Sequence, residues 1–193
     1  MLKLIPTAGP GWMAMTNVAN HAGDAIVVAA SAWSVPLLKP LGVALPIQAE
    51  RGYHASLPDP SVTLPMPISM KSRGFAMTPM EEGLRAAGTV EIAAQDDPPD
   101  DRRAERLLTH AQALFPGLRH GTPRLWMGTR PSTPDSLPLI GPVASWPGLF
   151  LCTGHGHFGM TAGPPSGRLL ASLIRSNDRR PAGVKSYGLD RFG

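Results

Sequence analysis

The sequence predicts an α+β chain: a mixed, largely antiparallel sheet with packing helices, followed by a strand, a glycine-rich loop and a helix in immediate succession. Three observations predict it. Gly74–Thr78 and Leu84–Ile92 flank Met80-Glu81-Glu82-Gly83, a hairpin signal in which Gly83 is free to take positive φ. Ala104, Leu107, Leu108, Ala111, Leu114 and Phe115 recur at helical spacing on one face, with Arg102, Arg103, Glu105 and Arg106 outward. Leu149–Cys152 is a short apolar run, Gly154, Gly156, Gly159 and Gly163 follow it, and Leu169, Leu170, Leu173 and Ile174 form an apolar stripe.

Taken in order, Met1–Ala22 gives no periodicity, and Pro6, Gly9, Pro10 and Gly11 predict an irregular tail over 1–22. Ala25–Ala30 is a continuous apolar run of the kind a strand covered on both faces requires, and Ser31-Ala32-Trp33-Ser34 closes it. Leu45–Leu57 reads as extended, with Glu50, Arg51, Tyr53 and His54 as a charge pair and aromatics on a solvent-facing strand. Gln95–Asp101 is a linker from which Asp100 or Asp101 can cap the helix that Pro116-Gly117 stops. A strand over Arg124–Gly128 then leads into a proline-rich crossing that ends near Pro142. Pro164 and Pro165 fit a first helical turn, which needs no N–H, and Ser176–Gly183 is a polar breaker run.

Several function classes are excluded or weakened. Gly154, Gly156 and Gly159 spell G-x-G-x-x-G, but no second strand follows the helix, and Asp178 ends no strand, so the dinucleotide fingerprint fails on context. His155 and His157 form an H-x-H pair without a third ligand, which argues against a metal. The net charge of +4 comes from scattered Lys and Arg with no basic stripe, which argues against nucleic acid. No apolar stretch reaches transmembrane length and no signal peptide is evident, so a cytoplasmic location is the default. Cys152, the single cysteine, reads as a buried thiol. With 21 glycines and 22 prolines in 193 residues, many loops and short strands are expected. Arg130, at the end of an apolar strand, can hold a carboxylate through two parallel hydrogen bonds or shape the turn through Asp135; spacing alone does not choose.

The Gly154–Thr161 loop, the Gly163-Pro164 start and the Ser166-Gly167-Arg168-Leu169-Leu170 helix resemble the C-terminal flavin-contacting segment of FAD-dependent amino-acid oxidoreductases of the glycine oxidase and D-amino-acid dehydrogenase type. The Phe75–Glu91 pattern is particularly similar to the dehydrogenase branch. The resemblance implies FAD as cofactor and oxidative deamination of a D-amino acid by hydride transfer to the flavin, with no side chain assigned as a catalytic base. Ser31, Trp33, Gly154, His155, Gly156, His157, Gly159, Met160 and Thr161 are then cofactor-binding, although the family pattern has glycine at Ser31. Arg130 and Tyr53 are substrate-binding, Arg130 because its Gly-x-Arg-Pro context matches the family's carboxylate arginine. It also implies domains: 23–44 as a remnant of the FAD-binding domain, 45–138 as the substrate domain, 139–176 as the C-terminal FAD-binding segment, and 177–193 as a tail. The family's glycine-rich βαβ unit has no counterpart in this sequence. The chain is therefore expected to be N-terminally truncated, or a non-catalytic remnant or subunit whose protein partner supplies that half.

Overall fold

The computed structural model describes residues 3–176 and 184–193. Asp178 and the rest of the 177–183 run lie outside the described residues. The chain opens with strands β1 (Lys3–Pro6), β2 (Trp12–Met15), β3 (Asn20–Gly23) and β4 (Ile26–Val28), then the short helix α1 (Ser34–Leu38). The middle holds β5 (Gln48–Leu57), β6 (Ile68–Met70), β7 (Phe75–Met80), β8 (Gly83–Ile92) and α2 (Arg102–Leu114). It closes with β9 (Arg124–Ser132), β10 (Leu139–Pro142), β11 (Leu149–Thr153) and α3 (Gly159–Arg175). These elements form two compact units. The first comprises Met1–Gln48 and Arg130–Gly193, the second Ala49–Thr129.

In the first unit β1, β2 and β3 make an antiparallel sheet, which corrects the irregular tail expected over 1–22. The prolines and glycines that suggested an irregular tail form a hairpin loop closed by a Thr7 N–H to Gly11 carbonyl bond of 3.1 Å. Trp12 then anchors the sheet, its ring edge-on to Trp146 and its indole N–H donating to the Pro147 carbonyl at 3.0 Å. A second sheet has the order β10-β11-β4, antiparallel between β10 and β11 and parallel between β11 and β4. Val28 points into a core with Leu38, Leu139, Leu149 and Leu151, whereas Val27 is 42% exposed. The Ala25–Ala30 run is thus covered on one face among the described residues, not on both. Residues 184–193 are held rather than trailing: Val184 is buried, and Arg191 binds both carboxylate oxygens of Asp135.

In the second unit the strand order is β6-β7-β8-β5-β9, and β9 runs past the unit's limit at Thr129. The hairpin expected from Met80–Gly83 forms, with Met80 opposite Gly83. Gly83 has φ of +127°, and a Cβ there would stand 2.2 Å from the Leu57 carbonyl oxygen, so no other residue fits. Helix α2 lays Leu107 and Ala111 onto Leu57, Phe75, Met77, Leu84 and Ala86, and buries Ala104 on the same face, the one its spacing predicted. Asp101 occupies the N-cap position but makes no capping bond, and the Asp100 carboxylate takes the Arg102 guanidinium instead, at 2.8 Å.

Candidate functional site

The C-terminal ends of the parallel pair β4 and β11 stand side by side in the first unit, and a polar cluster ties them together. The Thr153 hydroxyl, at the end of β11, donates to the Ser31 carbonyl at 3.0 Å, and the fully buried Ser34 hydroxyl lies 3.3 Å from Thr153 Oγ1. Ser31 has φ of +55°, the left-handed conformation that glycine takes without strain. The position therefore keeps a glycine-like backbone despite its side chain. Two residues on, Trp33 is exposed. The loop that leaves β11 turns through Gly154 (φ +78°) and Gly156 (φ +51°), and a Cβ on Gly154 would meet Thr133 Cγ2 at 2.9 Å.

This loop passes through a single 3-10 turn, Gly156–Phe158, directly into α3. The helix begins at Gly159, so Pro164 and Pro165 fall in its second turn and not in its first. Lacking N–H groups, they leave the Met160 and Thr161 carbonyls without their helical donors. Among the described residues no side chain caps the N-terminus of α3. Backbone N–H groups and the positive end of the helix dipole are thus presented where Phe158, Met160 and Thr161 are exposed, Met160 to 95%. His155 lies 2.9 Å from the buried Ser166 Oγ, through Nε2, and burial lowers its pKa, which keeps the imidazole neutral at pH 7. His157 in the 3-10 turn and Gly159 at the start of α3 are both exposed. Burial likewise pushes the Cys152 thiol up, which makes it a poor nucleophile. Among the described residues no group of three or more His, Cys, Asp or Glu gathers to hold a metal ion.

Arg130 is half-buried near the end of β9 and is followed by the buried Pro131. Asp135, the turn partner considered for it, is bound by Arg191 at 2.7 and 3.1 Å, which draws its carboxyl down to about 2.

Tyr53 is the other residue expected to contact substrate. It belongs to the second unit and is 2% exposed. Its hydroxyl donates to Glu91 Oε2 at 2.6 Å and accepts from Arg51 Nη2 at 3.2 Å and the Asp100 N–H at 3.1 Å. Burial first, and then the Glu91 bond, raise its pKa. Arg51, expected on a solvent-facing strand, is 1% exposed, with Nη2 donating to the Pro98 carbonyl at 2.7 Å and Nε 3.4 Å from Glu91. The group ties β5, β8 and the linker before α2 into one buried polar knot, which occupies the phenol fully. Sequence reasoning missed this knot, the Thr153–Ser34 pair and the His155–Ser166 contact. Only a pairing of Arg51 with the distant Glu91 would have signalled the first.

Comparison with known proteins places the chain in a family. A family model described as FAD dependent oxidoreductase matches residues 5–173. A D-amino-acid oxidase of Bradyrhizobium diazoefficiens is 38% identical over 164 residues, 83% of this chain and 39% of that protein. A D-amino acid dehydrogenase of Xylella fastidiosa is 38% identical over 182 residues, 93% of this chain and 41% of its own length. The chain thus spans about two fifths of the curated relatives it matches. Among solved structures, glycine oxidase from Geobacillus kaustophilus superimposes with a TM-score of 0.79 at 24% identity, over 97% of this chain and 50% of that one, and so shares its fold. No helix among the described residues is long and apolar enough to cross a membrane. With a family model that takes in nearly the whole chain, and relatives that agree with it, the chain belongs to the FAD-dependent oxidoreductase family.

Proposed function

We propose that this chain forms the substrate domain and C-terminal flavin segment of a cytoplasmic FAD-dependent oxidoreductase that acts on the CH–NH2 group of D-amino acids. The observation that carries the reading is the uncapped first turn of α3 behind two glycines at positive φ, next to the Thr153–Ser31 link. These residues fit a flavin: open N–H donors and a helix dipole favour negative charge, and the exposed Trp33, Phe158 and Met160 offer apolar cover. Ser31, Trp33, Gly154, His155, Gly156, His157, Gly159, Met160 and Thr161 would hold it. When bound, the flavin supplies the two-electron acceptor for oxidation of the substrate's C–N bond to an imine, which hydrolyses to an oxo acid and ammonia. Arg130 fixes the α-carboxylate by a two-bond fork, which orients the α-carbon. His155 is neutral and engaged with Ser166, and serves the loop's shape rather than proton transfer.

A second reading, a subunit or remnant that needs a partner for the missing dinucleotide-binding half, is favoured by one observation. Among the described residues β4 pairs on one edge only, and its central residue Val27 is exposed. The visible spectrum of the purified chain, as isolated and after FAD addition, tests the first reading. Flavin bands that survive desalting support it. Bleaching by D-amino acids should then need about 100-fold more substrate in Arg130→Ala, as expected for loss of a charge-assisted fork worth about 3 kcal/mol. A colourless protein that does not retain FAD overturns independent cofactor binding and leaves the partner-dependent reading.

A further inference from the structure

Residues 184–193 fold back onto the turn that follows β9, as two 3-10 turns, Val184–Tyr187 and Leu189–Phe192. Arg191 makes that contact, and its side chain is 12% exposed. A guanidinium carries five N–H groups in a planar fork, and here each one has its own acceptor. Nε and Nη2 donate to the two carboxylate oxygens of Asp135 at 2.7 and 3.1 Å. Nη2 donates again to the Leu137 carbonyl at 2.7 Å, and Nη1 donates to the Pro138 and Gly188 carbonyls at 3.3 and 3.0 Å. The Phe192 ring covers the group, its centroid 4.3 Å from Arg191 Cζ. An exposed ion pair would leave the backbone indifferent, whereas a saturated fork on Asp135, Leu137 and Pro138 fixes the shape of the turn.

That turn supports the glycine loop. Leu139, where β10 begins, lies opposite Thr153, where β11 ends, so the 133–138 turn and the loop at Gly154 leave the same end of one ladder. The Leu137 carbonyl that accepts from Arg191 also accepts from the Thr133 hydroxyl, at 2.8 Å. This bond selects the rotamer of the buried Thr133, and with it the direction of its methyl group. The methyl carbon is the atom that a Cβ on Gly154 would meet at 2.9 Å. A Cβ on Gly156 would stand 3.7 Å from Ser132 Oγ, one residue earlier. The two loop glycines at positive φ are thus seated on the segment that Arg191 holds.

We infer that Arg191 is a positioning residue for the loop: acting through the Leu137 carbonyl and the Thr133 side chain, it sets where Gly154 and Gly156 lie. The N–H groups at the start of α3 follow that placement, because the loop runs directly into the helix. The inference rests on the reading of this loop as the flavin segment, and adds to it a residue from beyond α3.

Amide hydrogen exchange of the full chain without cofactor tests the coupling. The Ser136 N–H is bonded to the Thr133 carbonyl and the Phe158 N–H to the His155 carbonyl, so these two amides report the turn and the loop. In Arg191→Ala both should exchange about tenfold faster, while the amides of β2 and β3 in the same unit keep the parent's rates. Thr133→Ser keeps the hydroxyl and removes the methyl group, so it should free Phe158 and leave Ser136 protected. FAD, followed by quenching of flavin fluorescence, should bind about tenfold more weakly to both variants than to the parent. Arg191→Lys should fall between, because an ammonium can pair with Asp135 but cannot fill the fork. Faster exchange at Ser136 alone in Arg191→Ala would overturn the inference, and so would faster exchange throughout the first unit, the mark of a purely structural cation. Equal FAD affinity in the parent and Arg191→Ala would overturn it as well. A parent that binds no FAD would overturn the flavin reading instead, and the exchange rates would still decide whether Arg191 holds the loop.

Discussion

The knot of Arg51, Tyr53, Glu91 and Asp100 and the loop from Thr153 to Thr161 are both rich in hydrogen-bonding groups, and they use them in opposite ways. In the knot two side chains that usually seek water are 1% and 2% exposed and are bonded to one another and to backbone. In the loop the backbone donors of α3 are left without a cap and a methionine is almost wholly in solvent. Polar groups turned inward and matched hold β5 to β8, while polar groups left open cost stability and offer a surface for another molecule. Burial of a charged side chain therefore marks scaffold here, and missing caps mark the candidate site.

The sharpest way to break this contrast is to remove one member of the knot. Glu91→Ala leaves the Arg51 guanidinium buried without its carboxylate and should cost about 3–5 kcal/mol in urea unfolding, the usual penalty for an orphaned buried charge. A loss below 1 kcal/mol would mean that Arg51 reaches water. Tyr53→Phe should cost less, about 1–2 kcal/mol, for a buried hydroxyl with three partners. It also carries a pH signature. The folded pKa of Tyr53 is raised, so its contribution is complete below the ordinary value of 10.0 and is lost as pH rises through the folded value. Wild type should therefore lose stability above pH 10 more steeply than Tyr53→Phe, and parallel curves would remove the phenol from the knot. The smallest effect has the opposite sign and belongs to the loop side. Ser31→Gly relieves a left-handed backbone and should raise stability by up to about 1 kcal/mol, read from the melting temperature. A fall instead would show that the serine side chain, and not only its carbonyl, holds the turn.

What could be seen in the sequence was what is local. The hairpin at Met80–Gly83 and the apolar face of α2 need only neighbours along the chain, and both stand where the pattern put them. The glycine loop announced itself because positive φ has few other solutions. The N-terminal sheet was hidden because its strands are four residues long and are joined by the same prolines and glycines that elsewhere mark disorder. Arg51 and Tyr53 looked like surface residues because their partner Glu91 lies on another strand, 38 residues from Tyr53. The start of α3 was misplaced because paired prolines favour a first turn, whereas Gly159–Gly163 adds a turn before them.

The split of the chain into units has a consequence for synthesis. The second unit is one uninterrupted stretch, Ala49–Thr129, set into a first unit whose two pieces flank it. As the chain leaves the ribosome, β4 emerges early but must wait for β11, its parallel partner, and the Thr153–Ser31 bond closes across 122 residues. The inner unit's sheet has all its strands, and its helix, as soon as Ser132 is free, while the outer one cannot assemble its second sheet until the last third of the chain is made. The nascent protein thus carries an unpaired apolar strand past a finished domain, and for that interval Ile26–Val28 is the segment most in need of a chaperone.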